Sequence, residues 1–442
     1  MEENKELLKE ILSGFGVGVE VVNATAGNAV TVYEVKPTLG TRVSKIRNLK
    51  DDIAVGMGVQ NVRIIAPMEN GMVGIEVPNK ERRIVPMSEI LQTKEYDNCD
   101  MELPCAFGKT SAGIPFIRDL ALMPHMLIAG ATGQGKSVGL NMILMSLLRK
   151  KSPDEMRLVL IDPKRVELSV YSALEDSYLA VPVITEADEA MEKLESLCNL
   201  MEYRYSLLCD KGVRNIMEYN KSAEKKMPYI VVVIDEYGDL IISGGRKVEK
   251  AICRIAQKAR AVGIHMIIST QRPSATIVTG DIKANFPTRV AFRTTTGTDS
   301  RVILDQMGAE RLTGKGDMIF YNGAETVRAQ CALVTDSDIH EVMDDLCYKY
   351  YWDKFDDVMD IPQPKDEISE ELTELMVKAA DLASRVDYID VYRLSYGLHI
   401  DLPIAYIVFA KTIEKGWVMK VGKTTAVMTP EMKKKWREEY AS

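Results

Sequence analysis

The stretch Gly130-Ala131-Thr132-Gly133-Gln134-Gly135-Lys136-Ser137, followed by Val138, decides how this chain is read. It fits G-x-x-x-x-G-K-[ST] in full, and a chance match in a chain of this size is roughly a one-in-fifty event at average residue frequencies. An apolar run, Met126–Ala129, precedes it and a helical stretch, Ser137–Leu148, follows. In that setting the glycines let backbone N–H groups close on phosphate oxygens at a helix N-terminus. Lys136 would reach the β- and γ-phosphates and Ser137 would take Mg²⁺. Residues 130–138 are therefore the expected nucleotide-binding loop, with a nucleoside triphosphate and Mg²⁺ as its ligands.

Working outward, four more apolar runs alternate with helical stretches. The runs are Leu158–Ile161, Ile230–Ile234, His265–Ser269 and Arg289–Phe292; the helices are Ala187–Leu208 and Arg246–Ala261. Runs without polar alternation predict strands buried on both faces, hence an α/β fold with a parallel sheet covered by helices. Ligands in such folds sit at the carboxyl ends of the strands, so the polar residues ending each run matter. Tyr229–Ile234 ends in Asp235-Glu236. Asp235 is placed to bind Mg²⁺, directly or through water, and Glu236 to polarise an attacking water as a general base; an acidic strand-to-loop turn is the plainer alternative. Ile267–Thr270 ends in Gln271-Arg272-Pro273, where Gln271 either senses the γ-phosphate or satisfies a polar turn. Arg260 closes the Arg246–Ala261 helix. It reads either as an arginine finger for a neighbouring subunit's nucleotide or as surface charge suited to a helix C-terminus.

Composition bounds the remaining options. The chain has 442 residues, 46% hydrophobic and 27% charged, which fits a globular protein of several domains and excludes disorder or a disulfide scaffold. No run approaches the roughly 18 apolar residues of a membrane helix, and Met1–Glu10 is charged and helix-like rather than a signal peptide. Seven cysteines include no CxxC pair, and four scattered histidines offer no metal spacing. Reduced cysteines and a cytoplasmic location are expected. The net charge of −8 counts at first against nucleic acid, but residues 341–376 hold twelve acids and three bases, leaving the rest near +1. An acidic total does not forbid a locally basic DNA channel.

Four segments follow. Residues 1–95 read as a small α/β domain, with a helix at 2–12, strands at Val19–Ala24, Val30–Lys36, Val62–Ala66 and Gly74–Val77, and a helix at Arg42–Ala54. Residues 96–355 hold the nucleotide loop and the apolar runs and read as the α/β nucleotide-binding domain, and 356–366, with Pro362 and Pro364, as a linker. Residues 367–442 hold three helical segments, near 368–384, 388–396 and 402–415, and a hairpin at Trp417–Met428 turned at Gly422-Lys423. That outline is winged-helix-like.

Taken together, Pro124–Ser137, Ile161–Lys164 with Glu167–Ser169, Gly212–Asn215, Asp235-Glu236, Gln257–Arg260, Thr270–Pro273, Ile282–Asn285, Pro287–Arg289, Asp299–Arg301 and Ile303–Gln306 resemble the motor of the FtsK/SpoIIIE family of DNA translocases. The resemblance extends over about residues 5–335 in the family's order, including Ser44–Leu49 and Val77–Lys80 in the small domain. It implies a RecA-like ATPase core in a hexameric ring that hydrolyses ATP and pumps double-stranded DNA through its channel, for chromosome partition or DNA transfer. Carried over by position, Arg260 becomes the trans arginine finger, and Arg272, Lys283 and Arg301 become channel residues on DNA phosphates. Such contacts bind without sequence preference.

Three departures are visible. The membrane-spanning N-terminal region of larger family members has no counterpart here, so a soluble form is expected. Gly297 stands where relatives often carry a basic DNA-loop residue. The expected recognition helix, Leu402–Ala410, is nearly all apolar and lacks the cations that read a groove, although Lys411, Lys415, Lys420 and Lys423 would reach phosphates; a structural or protein-docking role suits it better. Two other functions stay open at this level: a single-strand conjugative coupling ATPase, and a nucleotide-switched DNA adaptor that moves nothing.

Overall fold

Strands that carry aliphatic residues on both faces need cover on both sides, and the computed structural model places the five apolar runs side by side. The structure describes residues 2–68, 70–359, 370–422 and 425–440, in two units divided after Asp360. The strands of the first unit are β1 (Val19–Ala26), β2 (Val30–Pro37), β3 (Arg63–Ile65), β4 (Val73–Pro78), β5 (Pro104–Thr110), β6 (Pro115–Asp119), β7 (His125–Ala129), β8 (Met156–Ile161), β9 (Tyr229–Ile234), β10 (Ile264–Thr270), β11 (Thr288–Phe292), β12 (Asp317–Tyr321) and β13 (Thr326–Cys331). The large sheet runs β6-β5-β13-β12-β11-β7-β10-β9-β8. Its β11-β7-β10-β9-β8 portion is parallel, and every residue of those strands is buried.

The expectation of a parallel sheet needs one correction. β12, β13, β5 and β6 extend it antiparallel, so the nine-stranded sheet is mixed. These strands join in part through short turns, and β13 carries polar residues at alternate positions, so no continuous apolar run marks it. The third long helix also begins earlier than expected, at Tyr237, and continues past Gly245, whose φ of 62° and ψ of −153° kink it. Ser243-Gly244-Gly245 reads as a breaker in sequence, yet the chain resumes its helix immediately.

The small sheet β1-β2-β4-β3 is antiparallel. Leu8 and Leu12 of the first helix, Ile46 and Ile53 of two short helices, and Tyr33, Val35 and Ile75 of the sheet make its core. Val85, Met87, Ile90, Leu91 and Tyr96 pack instead into the core of the large sheet. A buried ion cluster joins the two sheets. Arg328 on β13 donates to Asp317 on β12 at 2.9 and 2.6 Å and to Glu76 on β4 at 2.7 Å.

In the second unit, helices Glu370–Arg385, Val391–Leu398 and Leu402–Glu414 are followed by strands Met419–Lys420 and Thr425–Val427, the latter also pairing with Ile389–Asp390. Three helices and a small sheet match the winged-helix outline. A further helix, Pro430–Tyr440, sets Trp436 against Trp417, ring centroids 4.9 Å apart. On the Leu402–Glu414 helix, Ala405 and Val408 are buried while Ile404, Tyr406 and Ile407 face solvent. Most of the linker read at 356–366 lies outside the described residues, as does Lys423.

Candidate active site

β7 delivers the chain into Gly130–Gly135, and the helix Lys136–Lys150 leaves it. Two glycines are sterically required. A Cβ on Gly130 would lie 2.6 Å from Phe292 Cβ, and one on Gly135, at φ +110°, would lie 2.7 Å from Gly316 Cα. The loop is pinned from both sides: Ala131 N–H donates to Arg293 O and Gly316 N–H to Gln134 O, each at 2.9 Å. Over it lies a cavity of about 810 Å³, into which Ala131, Thr132, Gly133, Lys136, Ser137 and Val138 open with Gln271.

Lys136, only 3% exposed, donates to Asp235 and, at 3.0 Å, to Ser269 Oγ. Ser269 Oγ donates in turn to Asp235 Oδ1 at 2.7 Å. Asp235 Oδ2 is buried without a partner. A buried anionic oxygen without a donor is costly, and a hard cation would satisfy it. Ser137 Oγ, now 2.6 Å from Glu167 Oε1, lies on the same loop-to-helix turn. No cluster of three or more His, Cys, Asp or Glu side chains forms a metal site among the described residues. Ser137 and Asp235, the latter with its unpartnered oxygen, are the residues that would hold Mg²⁺.

Glu236 is fully buried in a left-handed conformation, φ 54° and ψ 60°, immediately before a helix. Such strain persists only where surrounding contacts fix it. Thr270 Oγ1 donates to Oε1 at 2.8 Å, Gln271 N–H to Oε2 at 3.1 Å, and Lys164 Nζ to Oε2 at 3.3 Å. Burial works against charge on Lys164, but Glu236 and then Asp239 outweigh it and hold its pKa above the ordinary lysine value. The side-chain oxygen of Gln271 accepts from Thr132 Oγ1 at 2.8 Å. The ends of β7, β9 and β10 therefore bring together Lys136, Ser137, Asp235, Glu236 and Gln271.

Arg260 is not among them. It is exposed in a short 3₁₀ turn, Ala259–Val262, just before β10 begins. It lies near His125 and His265, at the start of β7 and β10, so it stands at the sheet edge opposite its own nucleotide loop. Arg272 follows Gln271 and is exposed, as is Arg301. Lys283 Nζ is 2.6 Å from Asp305 Oδ1, which shares that carboxylate with Arg289. Gly297 opens a helix capped by Thr296 and Asp299.

Asp162, Lys164 and Glu167 belong to the site although the sequence reading gave them no role. Asp162 ends β8 and is fully buried; its Oδ2 accepts from the N–H groups of Val166, Glu167 and Leu168 at 2.9–3.0 Å. That turn aims Lys164 at Glu236 and Glu167 at Ser137. The available signal was position, since Asp162-Pro163-Lys164 leaves the carboxyl end of a parallel strand, where ligands gather.

Residues 1–79 match the FtsK alpha domain and residues 86–275 the FtsK/SpoIIIE family. The chain is 45% identical over 356 residues to the DNA translocase FtsK of Clostridium tetani, covering 77% of this chain and 48% of that protein. It is 44% identical over 369 residues to DNA translocase FtsK 1 of Neisseria meningitidis serogroup B, covering 78% and 45%. The chain thus spans about half the length of these relatives. Among solved structures, the pCW3 conjugation coupling protein TcpA, a monomer form with ATPγS, matches with a TM-score of 0.55 at 24% identity, covering 77% of this chain and 99% of that one. The cytoplasmic domain of the Thermomonospora curvata type VII secretion ATPase EccC matches at 0.51 and 23%, covering 60% and 34%. Both likenesses concern the fold. No helix among the described residues is long and apolar enough to cross a membrane.

Proposed function

We propose, from the premise that this chain belongs to the FtsK/SpoIIIE family, that it is an ATP-driven motor moving double-stranded DNA. The observation that carries this reading is the convergence of Lys136, Ser137, Asp235, Glu236 and Gln271 at one sheet edge, with Gln271 leading directly into exposed Arg272. Residues 130–138 hold the triphosphate, Lys136 neutralises it, and Ser137 and Asp235 take Mg²⁺, which would polarise the phosphoryl group. Glu236, fixed by Thr270 and Gln271, accepts the proton of the attacking water. Gln271 then reports the state of the phosphate to the DNA-facing segment.

Arg260 cannot reach its own nucleotide from the opposite edge, so it serves as a finger only if subunits stack head to tail, as a ring requires. A hexamer working on cytoplasmic DNA is the assembly we favour, with Arg272, Lys283 and Arg301 touching phosphates. The second unit fits a protein partner better than a DNA groove, because its second-last helix presents Ile404 and Ile407 rather than cations.

ATP turnover measured with duplex and with single-stranded DNA tests the reading. Stimulation by duplex, lost in Glu236→Gln, is expected. Stimulation confined to single strands would favour a coupling-type motor, and DNA binding with negligible turnover would leave only a switch.

A further inference from the structure

Arg260 is exposed, and its side chain makes no hydrogen bond or ion pair among the described residues. Its direction is therefore set by the backbone that carries it, the turn Ala259–Val262 between the long helix ending at Lys258 and β10. That turn is held at both ends by the helix Ala187–Asp210, which packs against it. The last carbonyls of a helix lack partners within it, and here Lys258 O accepts from Tyr205 Oη at 2.5 Å. At the far end, Val262 O accepts from Arg204 Nη1 at 2.9 Å. Glu202 adds ion pairs to Arg254 at 3.2 Å and Lys258 at 4.0 Å. Those pairs are exposed and contribute little.

Arg204 is the unusual member. It is 3% exposed, and burial, with no carboxylate to offset it, pushes its guanidinium down to about 9. It keeps its charge at neutral pH. A buried cation without an acid is costly. An apolar side chain could fill the space without that cost, whereas the guanidinium adds a charge-assisted bond to Val262 O. The following residue, Gly263, accepts from Ile230 N–H of β9 at 2.8 Å, so the exit of the turn is fixed to the sheet.

We infer, resting on the reading of Arg260 as a finger in trans, that Arg204 and Tyr205 are its positioning residues, holding the carbonyls at the two ends of its turn. The helix Ala187–Asp210 of one subunit then sets the rate at the nucleotide of the next. Neither residue touches the nucleotide of its own subunit, whose loop lies at the other edge of the sheet.

ATP turnover by the full chain at saturating duplex DNA tests this. Tyr205→Phe should lower kcat about fivefold and Arg204→Met about tenfold, as expected for losing a neutral and a charge-assisted hydrogen bond. KM for ATP should stay nearly unchanged. Arg204→Lys, which keeps a charged donor, should recover part of the loss, and Arg260→Ala should be slower than all three. Mixing subunits separates positioning from stability, because the defect falls on the neighbour's site. Lys136→Ala subunits do not hold ATP but carry an intact turn. Mixed with Tyr205→Phe subunits, they should give more turnover per Tyr205→Phe subunit than Lys136→Ala/Tyr205→Phe subunits in the same ratio. Equal turnover in the two mixtures would overturn the positioning role. So would wild-type kcat in Tyr205→Phe beside a slow Arg260→Ala; Tyr205 is half-buried and loses only a hydroxyl, so this variant decides even where Arg204→Met misfolds. Wild-type turnover in Arg260→Ala would refute the finger itself, and the positioning role with it.

Discussion

Gln271 and Glu236 are joined through the backbone: the Gln271 N–H lies 3.1 Å from Glu236 Oε2, while its side-chain oxygen accepts from Thr132 of the nucleotide loop. One residue thus touches Glu236, the proposed general base, and the proposed phosphate loop, and the next, Arg272, faces solvent. Gln271→Ala keeps the backbone bond and removes the link to Thr132. It is expected to bind ATP normally, retain slow basal hydrolysis and lose stimulation by DNA. Equal stimulation in variant and wild type would break the proposed link.

Glu236→Gln should bind ATP while hydrolysing it about 10²–10⁴-fold more slowly, the range for loss of a positioned general base. Single-turnover hydrolysis beside a nucleotide-binding measurement separates the two effects.

Lys164 is the cation of the Glu236 cluster, 3.3 Å from Glu236 and 3.5 Å from Asp239. Removing it leaves two carboxylates, one fully buried, without their counter-charge. Lys164→Met should therefore lower kcat by about tenfold with KM for ATP nearly unchanged, and move the acid limb of the pH–rate profile upward. A rate loss without any shift of that limb would argue for a purely steric role.

Arg328 neutralises both Glu76 and Asp317, and all three are buried. Burial would raise the Asp317 pKa, but Arg328 and the Thr313 hydrogen bonds outweigh that and hold it below the ordinary aspartate value. Arg328→Met leaves buried Asp317 without its cation and Glu76 with only Arg63, 3.5 Å away, and should cost about 3–5 kcal/mol of stability. The triple variant Glu76→Gln, Asp317→Asn, Arg328→Met should recover much of it. Urea denaturation of both variants measures the difference.

His125 and His265 are buried at the start of their strands, and burial above all depresses their pKa values to about 3 and about 4. Met266 N–H donates to His125 Nδ1 at 3.0 Å, so that nitrogen must stay unprotonated. Above pH 6.5 both histidines are neutral, folded or unfolded, and contribute no pH dependence. Below it the unfolded chain takes up protons that the fold refuses, so stability falls from about pH 6.5 toward pH 4. The urea midpoint should be lower at pH 5 than at pH 7.5, and His265→Asn should flatten that slope. An unchanged slope in the variant would assign the acid sensitivity to other groups.

The parts of the fold that sequence could show are those in which each residue points the same way. Val231, Val232 and Val233 are apolar on both faces of β9, and Asp235 and Glu236 end it abruptly, so strand and site were visible together. β13 was hidden because its Arg328 and Gln330 read as surface residues, whereas Arg328 is buried only because Asp317 and Glu76 arrive from 11 and 252 residues away. Lys164 and Glu167 gained no role in sequence for a related reason: their direction is set by the four backbone N–H bonds that the Asp162 carboxylate accepts. Arg260 shows the opposite limit, since one subunit places it far from its own loop, and the proposed finger role would need a second copy to bring it to a nucleotide.

The central claim is that hydrolysis at Glu236 moves double-stranded DNA, and displacement of a third strand from a linear duplex tests it most directly. Wild-type protein with ATP should strip the third strand, and Glu236→Gln should leave it in place while still binding nucleotide. Duplex-stimulated hydrolysis with the third strand left intact by wild-type protein would contradict the account.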